Sequence, residues 1–134
     1  MSQTAIHQSL ADCKTIAVVG LSPKPHRDSF RIAKYMQDHG FRIVPINPNA
    51  SDVLGETSYA SLTEAAQHER IDMVNCFRNS EDIPPIAAEA IAIGAKSLWL
   101  QLGVVNDAAA KQATAAGLVV VQNLCLMVEH RQQG

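Results

Sequence analysis

The sequence lacks a long apolar run, a leader-like start and an excess of charge of either sign. No stretch approaches the ~20 apolar residues that a membrane-spanning helix requires. The first residues, MSQTAIHQSLADCK, lack the basic start and apolar centre of a signal peptide. The net charge is −2, and no basic run is present. We therefore expect a cytoplasmic protein whose partners include neither a membrane nor a nucleic acid.

Cysteine clusters are also missing. The three cysteines, Cys13, Cys76 and Cys125, are far apart, and no C-x-x-C pair or Cys/His cluster is present. This spacing argues against a structural zinc site, and we expect reduced thiols. The 134 residues fit one domain, 1–134, that is large enough to bury its own core.

What the sequence does contain is an alternation of short apolar runs with longer periodic segments. The apolar runs are rich in Val, Ile and Leu without strict alternation, as is typical of strands covered on both faces. We predict strands at 15–19, 42–46, 72–77, 97–101 and 118–122. We predict helices at 5–12, 28–39, 62–68, 84–93 and 107–116, with Ser61, Ser80 and Asn106 as candidate caps. This order predicts an α/β fold with a five-stranded, mostly parallel sheet between two helical layers.

The stretch VVGLSPKPHRDS, which follows the first strand, is the clearest candidate site. Strand, glycine turn and helix start in this order normally place a phosphate group at a helix N-terminus. The dinucleotide signature G-x-G-x-x-G is absent, because only Gly20 is present and Ser22 and Pro25 occupy the later glycine positions. The second strand is followed by Asn47 and Pro48, where a NAD-binding domain usually has a carboxylate for the ribose. The sequence therefore favours a phosphate-bearing ligand other than NAD.

Ligands of parallel sheets bind at the carboxyl ends of the strands. Position alone therefore nominates five segments as site residues, namely 20–27, 47–52, 76–79, 101–103 and 123–125.

Several short motifs in combination resemble one family. They are GLSPK at 20–24, RDS at 27–29, VPINP at 44–48, CFRNS at 76–80, AIAIGAK at 90–96 and WLQLG at 99–103. Together they are similar to the small stand-alone CoA-binding proteins (YccU-like), and to the N-terminal domain of the succinyl-CoA synthetase α-subunit. The resemblance extends from about residue 15 to residue 130 and implies a Rossmann-like fold that binds coenzyme A.

The resemblance also implies a role for each matching position. The phosphate-binding turn corresponds to Gly20, Leu21, Ser22, Pro23 and Lys24, with Arg27 just beyond it. Asn47 and Pro48 correspond to the turn beside the adenosine, and Phe77 and Arg78 to the strand end near the diphosphate and adenine. Gln101, Leu102 and Gly103 correspond to the strand end along the pantetheine arm. The phosphorylated histidine of the synthetase belongs to a second domain, so we expect CoA or acyl-CoA binding without ligase activity.

Several of these residues have a second interpretation. Lys24 and Arg27 either neutralise a diphosphate or are solvated loop charges, and their place before a helix start favours the first. Ser22 either donates to a phosphate oxygen or closes a turn, and we favour the phosphate. Arg78, at the end of a buried strand, needs an anion or a carboxylate partner, for which Glu81 is a candidate.

The remaining candidates have simpler expectations. Asn47 contacts the ligand, forms the turn before Pro48, or does both. We expect Cys76 to be a small buried hydrophobe rather than the partner of a mixed disulfide with CoA. We expect His26 to be an exposed loop histidine.

Three functions remain open from the sequence. The first is a non-catalytic module that holds CoA or an acyl-CoA, with a protein partner or a second copy of the chain. The second is a small NAD(P)-linked oxidoreductase, against which the Asn47–Pro48 turn argues. The third is a redox-sensing regulatory domain. The sequence contains no Ser-His-Asp order, H-E-x-x-H motif or close carboxylate pair that would mark a catalytic site.

Overall fold

The computed structural model describes residues 3–133 and has a parallel five-stranded sheet at its centre. The five strands are β1 (Thr15–Val19), β2 (Arg42–Ile46), β5 (Met73–Cys76), β6 (Ser97–Leu100) and β7 (Val119–Val121). They lie side by side in the order β2-β1-β5-β6-β7, and every neighbouring pair is parallel. The predicted strands agree with these bounds to within one residue at each end.

Within residues 3–133, six α-helices connect and flank the strands. They are α1 (Gln3–Asp12), α2 (Asp28–Asp38), α3 (Leu62–Ala65), α4 (Ile83–Ala92), α5 (Asp107–Ala115) and α6 (Leu126–Gln133). One short 3₁₀ helix, Ser80–Asp82, precedes α4. Two predicted caps are confirmed, since Ser61 Oγ accepts from Glu64 N at 3.1 Å and Asn106 Oδ1 accepts from Ala109 N at 3.0 Å. The predicted cap at Ser80 is wrong, because its Oγ instead accepts from Val105 N at 3.0 Å. The helix predicted over 62–68 ends as an α-helix at Ala65 and continues as turns.

Successive strand residues point into two separate apolar cores, one on each face of the sheet. On one face, Val19 of β1 and Leu100 of β6 pack with buried residues of α3, α4 and α5. On the other face, Val18 of β1 and Trp99 of β6 pack with α1, α2 and α6. Burial on both faces explains why the strands are apolar without alternation. The predicted three-layer, Rossmann-like α/β fold is confirmed.

Asp72 fixes the amino-terminal edge of the sheet, opposite the candidate site. Its Oδ2 accepts from the backbone N–H groups of Lys14 at 2.9 Å and Thr15 at 3.0 Å. Burial raises the pKa of this carboxyl, but the two N–H donors, with Lys96 and Arg70 nearby, outweigh it and hold the pKa below its usual value. Asp72 therefore joins the starts of β1 and β5 as a carboxylate.

Three features were not predicted, namely a hairpin, the short 3₁₀ helix Ser80–Asp82 and the helix α6. A short antiparallel hairpin, β3 (Asp52–Val53) and β4 (Glu56–Thr57), follows β2, and α6 follows the last strand of the sheet. Within residues 3–133, no helix is long and apolar enough to cross a membrane.

Candidate functional site

The strand order indicates a candidate site between β1 and β5. The chain leaves β1 toward β2 on one side and then crosses back to β5 on the other, so the connections diverge at the carboxyl ends of β1 and β5. Such a switch point is where ligands of open parallel sheets bind. Gly20 follows β1 and Phe77 follows β5 at this point.

Gly20 lets these two strand ends approach each other closely. Its φ is +86°, and a Cβ atom added there would lie 2.5 Å from the carbonyl oxygen of Phe77 and 3.1 Å from Cδ of Arg78. No side chain fits in that space without moving backbone. The Gly20 N–H donates to Ile46 O of β2 at 3.0 Å, so the turn is also tied to the neighbouring strand.

The loop after Gly20 is held by a buried anchor and two serines. Leu21 is fully buried in the core beneath the loop. Ser29 Oγ accepts from Ser22 N at 3.0 Å, which ties the loop to the start of α2. Ser22 Oγ accepts from Lys24 N at 3.1 Å and so closes a turn. That bond uses only an acceptor lone pair of Ser22, so the hydroxyl hydrogen is available to a ligand.

The N-terminus of α2 opens onto the same loop. Arg27 is the residue that precedes the helix, and its side chain makes no capping hydrogen bond. Within residues 3–133, the backbone N–H groups of Asp28, Ser29 and Phe30 have no hydrogen-bond acceptor. Unpaired N–H groups at a helix start attract an anion. Asp28 does not cap the helix. Its carboxylate forms an ion pair with Arg31 one turn later.

These parts enclose a cavity of about 600 Å³, which we call the first cavity. Its lining residues are Gly20, Ser22, Lys24, His26, Arg27, Asp28, Ser29 and Phe77. Lys24, His26 and Arg27 are exposed, so their side chains are free to turn toward a ligand. Because the Asp28 charge is paired with Arg31, the uncompensated charge of the first cavity is positive.

A second cavity of about 540 Å³ shares Asp28 and Phe77 with the first, and we call it the second cavity. Its other lining residues are Arg31, Ile32, Gln101, Leu102, Cys125, Met127 and Arg131. Three of these were nominated from the sequence, Gln101 and Leu102 from the segment 101–103 and Cys125 from the segment 123–125. The two cavities together follow the carboxyl ends of β1, β5 and β6.

The predicted residues Asn47 and Pro48 line neither cavity, but Asn47 contacts the loop after β1. Asn47 Nδ2 donates to Leu21 O at 2.9 Å, and Asn47 Oδ1 accepts from Asn49 N at 2.8 Å. Asn47 therefore forms the turn after β2 and also fixes the loop after β1. Pro48 is exposed beside it.

Arg78 differs from the expectation in its partner. Its Nη2 lies 3.5 Å from Asp82 Oδ2, and the side chain is 48% exposed, so the carboxylate partner is Asp82 rather than Glu81. Asp82, four residues after Arg78, is the last residue of the short 3₁₀ helix that precedes α4. Arg78 lies beside Gly20 but lines neither cavity.

Three further predicted residues line neither cavity, and two of them, Pro23 and Gly103, lie in loops. Pro23 is exposed on the loop after β1. Gly103 has φ +89°, and its N–H donates to Asn123 Oδ1 at 2.7 Å, which joins the loops after β6 and β7. Cys76 is fully buried, and burial raises the pKa of its thiol to about 12, as expected for a core cysteine.

The contribution of α6 was missed by the sequence analysis. Met127 and Arg131 come from this helix and line the second cavity. The only local signal is a run without Gly or Pro, LMVEHRQQ, that contains good helix formers.

This sheet order, with helices on both faces of the sheet, defines a Rossmann-like α/β domain. Family comparison makes the assignment more specific. Residues 14–131 match the family model described as CoA binding domain, so the chain belongs to the CoA binding domain family.

Its relatives include chains of similar length. The protein YneT of Bacillus subtilis is 40% identical over 129 residues, which are 96% of this chain and 94% of YneT. A solved structure from Pyrococcus horikoshii is 36% identical with a TM-score of 0.91, covering 98% of this chain and 92% of that one. A structure from Thermus thermophilus is 31% identical with a TM-score of 0.91, covering 100% of both chains.

A longer protein carries a similar segment. The ADP-forming acetate–CoA ligase II of Archaeoglobus fulgidus is 29% identical over 85 residues, which are 62% of this chain and 12% of the ligase. A dinucleotide-forming acetyl-coenzyme A synthetase from Ca. Korarchaeum cryptofilum has the same fold, with a TM-score of 0.74 at 20% identity over 87% of this chain and 27% of that one.

Proposed function

We propose that the protein binds coenzyme A or an acyl-CoA and holds it without chemical change. The observation that carries the proposal is the first cavity, where the Gly20 turn, the start of α2 and the Phe77 strand end meet. Membership of the CoA binding domain family supports the choice of ligand.

The CoA diphosphate fits the first cavity by charge and by hydrogen bonding. The unpaired N–H groups of Asp28, Ser29 and Phe30 are donors for phosphate oxygens, and the Ser22 hydroxyl is a further donor. Lys24 and Arg27 add two positive charges, which match the two negative charges of a diphosphate. Gly20 and Phe77, whose backbones approach closely, both line this cavity.

The two ends of CoA then take opposite directions along the sheet edge. The adenosine lies toward the turn at Asn47 and Pro48, which is tied to the diphosphate loop through Leu21. The pantetheine arm passes Phe77 into the second cavity toward Gln101 and Leu102. A buried Cys76 thiol with a pKa of about 12 remains protonated near neutral pH, which suits a holding role better than nucleophilic attack.

The test is isothermal titration of CoA into the wild type and the variants K24A and R27A. We expect saturable binding to the wild type and an affinity about threefold to tenfold lower in each variant, because each loses one charge beside the diphosphate. The loss should be larger at low salt than at high salt, since screening weakens exposed charge pairs.

Lys34→Ala is the matched control. Lys34 lies on the same helix, α2, but pairs with Asp38 at 2.9 Å and lines neither cavity. It removes the same charge as K24A, so its CoA affinity should stay close to that of the wild type. Equal affinity of K24A, R27A and the wild type would refute the diphosphate assignment. Binding of NAD or NADP in place of CoA would refute the choice of ligand.

A further inference from the structure

The second cavity has one buried polar group whose donor is unused. Gln101 is only 5% exposed, and its Oε1 accepts from Asn75 Nδ2 at 3.2 Å and from Leu126 N at 3.3 Å. These two donors fix the orientation of the amide. Within residues 3–133, Nε2 of Gln101 has no hydrogen-bond acceptor, although Gln101 lines the cavity. The cavity therefore offers a fixed N–H donor that suits a carbonyl oxygen.

The same cavity has one cation without a counter-charge. Arg31 is already paired with Asp28. The Arg131 guanidinium has no carboxylate within 4 Å in the part of the chain that the structure describes. Instead its Cζ lies 5.4 Å from the centroid of the Tyr35 ring, and its Nη2 lies 3.4 Å from Met127 Sδ. Stacking and the sulfur contact hold the planar group at the cavity wall, which lowers the entropy cost of an ion pair with a ligand.

We propose that the second cavity accepts the acyl end of an acyl-CoA whose acyl chain ends in a carboxylate. The inference rests on the proposed function, because it requires the diphosphate in the first cavity. Apolar contacts from Ile32, Leu102 and Met127 surround the chain, and Gln101 Nε2 donates to a carbonyl oxygen of the arm. Arg131 pairs with the terminal carboxylate. With an uncharged acyl chain, the positive charge of Arg131 would have no negative partner in this cavity.

The experiment compares CoA, butyryl-CoA and succinyl-CoA by isothermal titration against the full chain. The two acyl groups both have four carbons and differ by the terminal carboxylate. We expect the wild type to bind succinyl-CoA about fivefold more tightly than butyryl-CoA, as for one partly exposed ion pair. The variant R131Q should lower that ratio to about one, and R131K should retain part of it because the charge remains.

Arg70→Gln controls for the general effect of removing a positive charge. Arg70 lies beside Asp72 at the opposite edge of the sheet, with a side chain that is 82% exposed, so R70Q should keep the wild-type ratio. A ratio of one in the wild type, with CoA still bound, would overturn this inference and leave the proposed function standing. A ratio that persists in R131Q would overturn the role of Arg131. Failure of all three ligands to bind would overturn both proposals.

Discussion

Gly20 is the residue on which the geometry of the site depends most strongly. It combines a positive φ with a contact in which a Cβ atom would lie 2.5 Å from a backbone oxygen. The first property alone costs an L-residue about 1–2 kcal/mol, whereas the second requires the Phe77 strand end to move. A substitution of Gly20 should therefore change both the shape of the candidate site and the stability of the fold.

Replacing Gly20 by Ala should lower the free energy of unfolding by about 3 kcal/mol, because strain at positive φ adds to displacement of the Phe77 backbone. Gly94→Ala is the matched control, since Gly94 has φ +75° but nothing within 4 Å of an added Cβ. Its loss should be about 1 kcal/mol. Urea denaturation at equilibrium measures both values. Equal losses in the two variants would contradict the close contact described for Gly20.

The sequence alone predicted some of the residues that line the two cavities and missed others. The residues that were nominated from the sequence and that line the two cavities are Gly20, Ser22, Lys24, His26, Arg27, Phe77, Gln101, Leu102 and Cys125. Asn47 proved to act through hydrogen bonds to the loop rather than as a lining residue. The acidic partner of Arg78 was misplaced by one residue, because helical geometry after β5 brings Asp82, four residues on, to the guanidinium.

At the scale of the element, α6 shows what a local pattern cannot predict. The N–H of its first residue, Leu126, donates to the side chain of Gln101, which is 25 positions earlier in the chain. Because the residue that accepts this hydrogen bond is distant in sequence, the residues just before α6 contain no capping signal. By contrast, α3 and α5 were predicted because Ser61 and Asn106 cap them locally.

Helix α6 is held against α2 by an aromatic and histidine cluster. Tyr35 OH lies 2.8 Å from His130 Nδ1, and the His39 and Phe41 rings lie 5.3 Å and 5.6 Å from the His130 ring. Arg131 stacks over the same tyrosine. Burial, and secondarily the neighbouring His39, lower the pKa of His130 below its usual value.

This shift predicts a pH dependence of stability. Because the folded protein binds the His130 proton less readily than the unfolded chain, the stabilisation is present above about pH 6.5 and is lost as the pH falls below it. One such group changes the slope by at most about 1.4 kcal/mol per pH unit. We expect the free energy of unfolding to fall less steeply between pH 7 and pH 5 in H130Q than in the wild type, measured by urea denaturation at each pH.

His7→Gln is the control for this prediction, because His7 is exposed on α1 and makes no contact with the cluster. Its slope should match that of the wild type. Identical slopes for H130Q and the wild type would show that His130 does not titrate with folding.

At the scale of the whole molecule, the alternation of apolar runs and periodic segments was sufficient for the α/β architecture and its parallel sheet. The carboxyl edge of the sheet followed as the candidate site, because all parallel strands end there. The second cavity was not predictable as a unit, because α6 reaches it from the end of the chain and packs beside α2. This contact between α6 and α2 is a tertiary contact, and no periodic pattern of apolar residues in the sequence predicts it.

The most direct test of CoA binding at this edge is an amide ¹H–¹⁵N NMR titration with CoA. We expect the largest shift changes in the loop and helix start at 20–29, at Phe77, and at Gln101 and Leu102. The amino-terminal edge has its own cavity of about 320 Å³ beside Cys13, Ser97 and Gly117, which provides an internal comparison. Changes confined to that edge, or none at saturating CoA, would contradict the account.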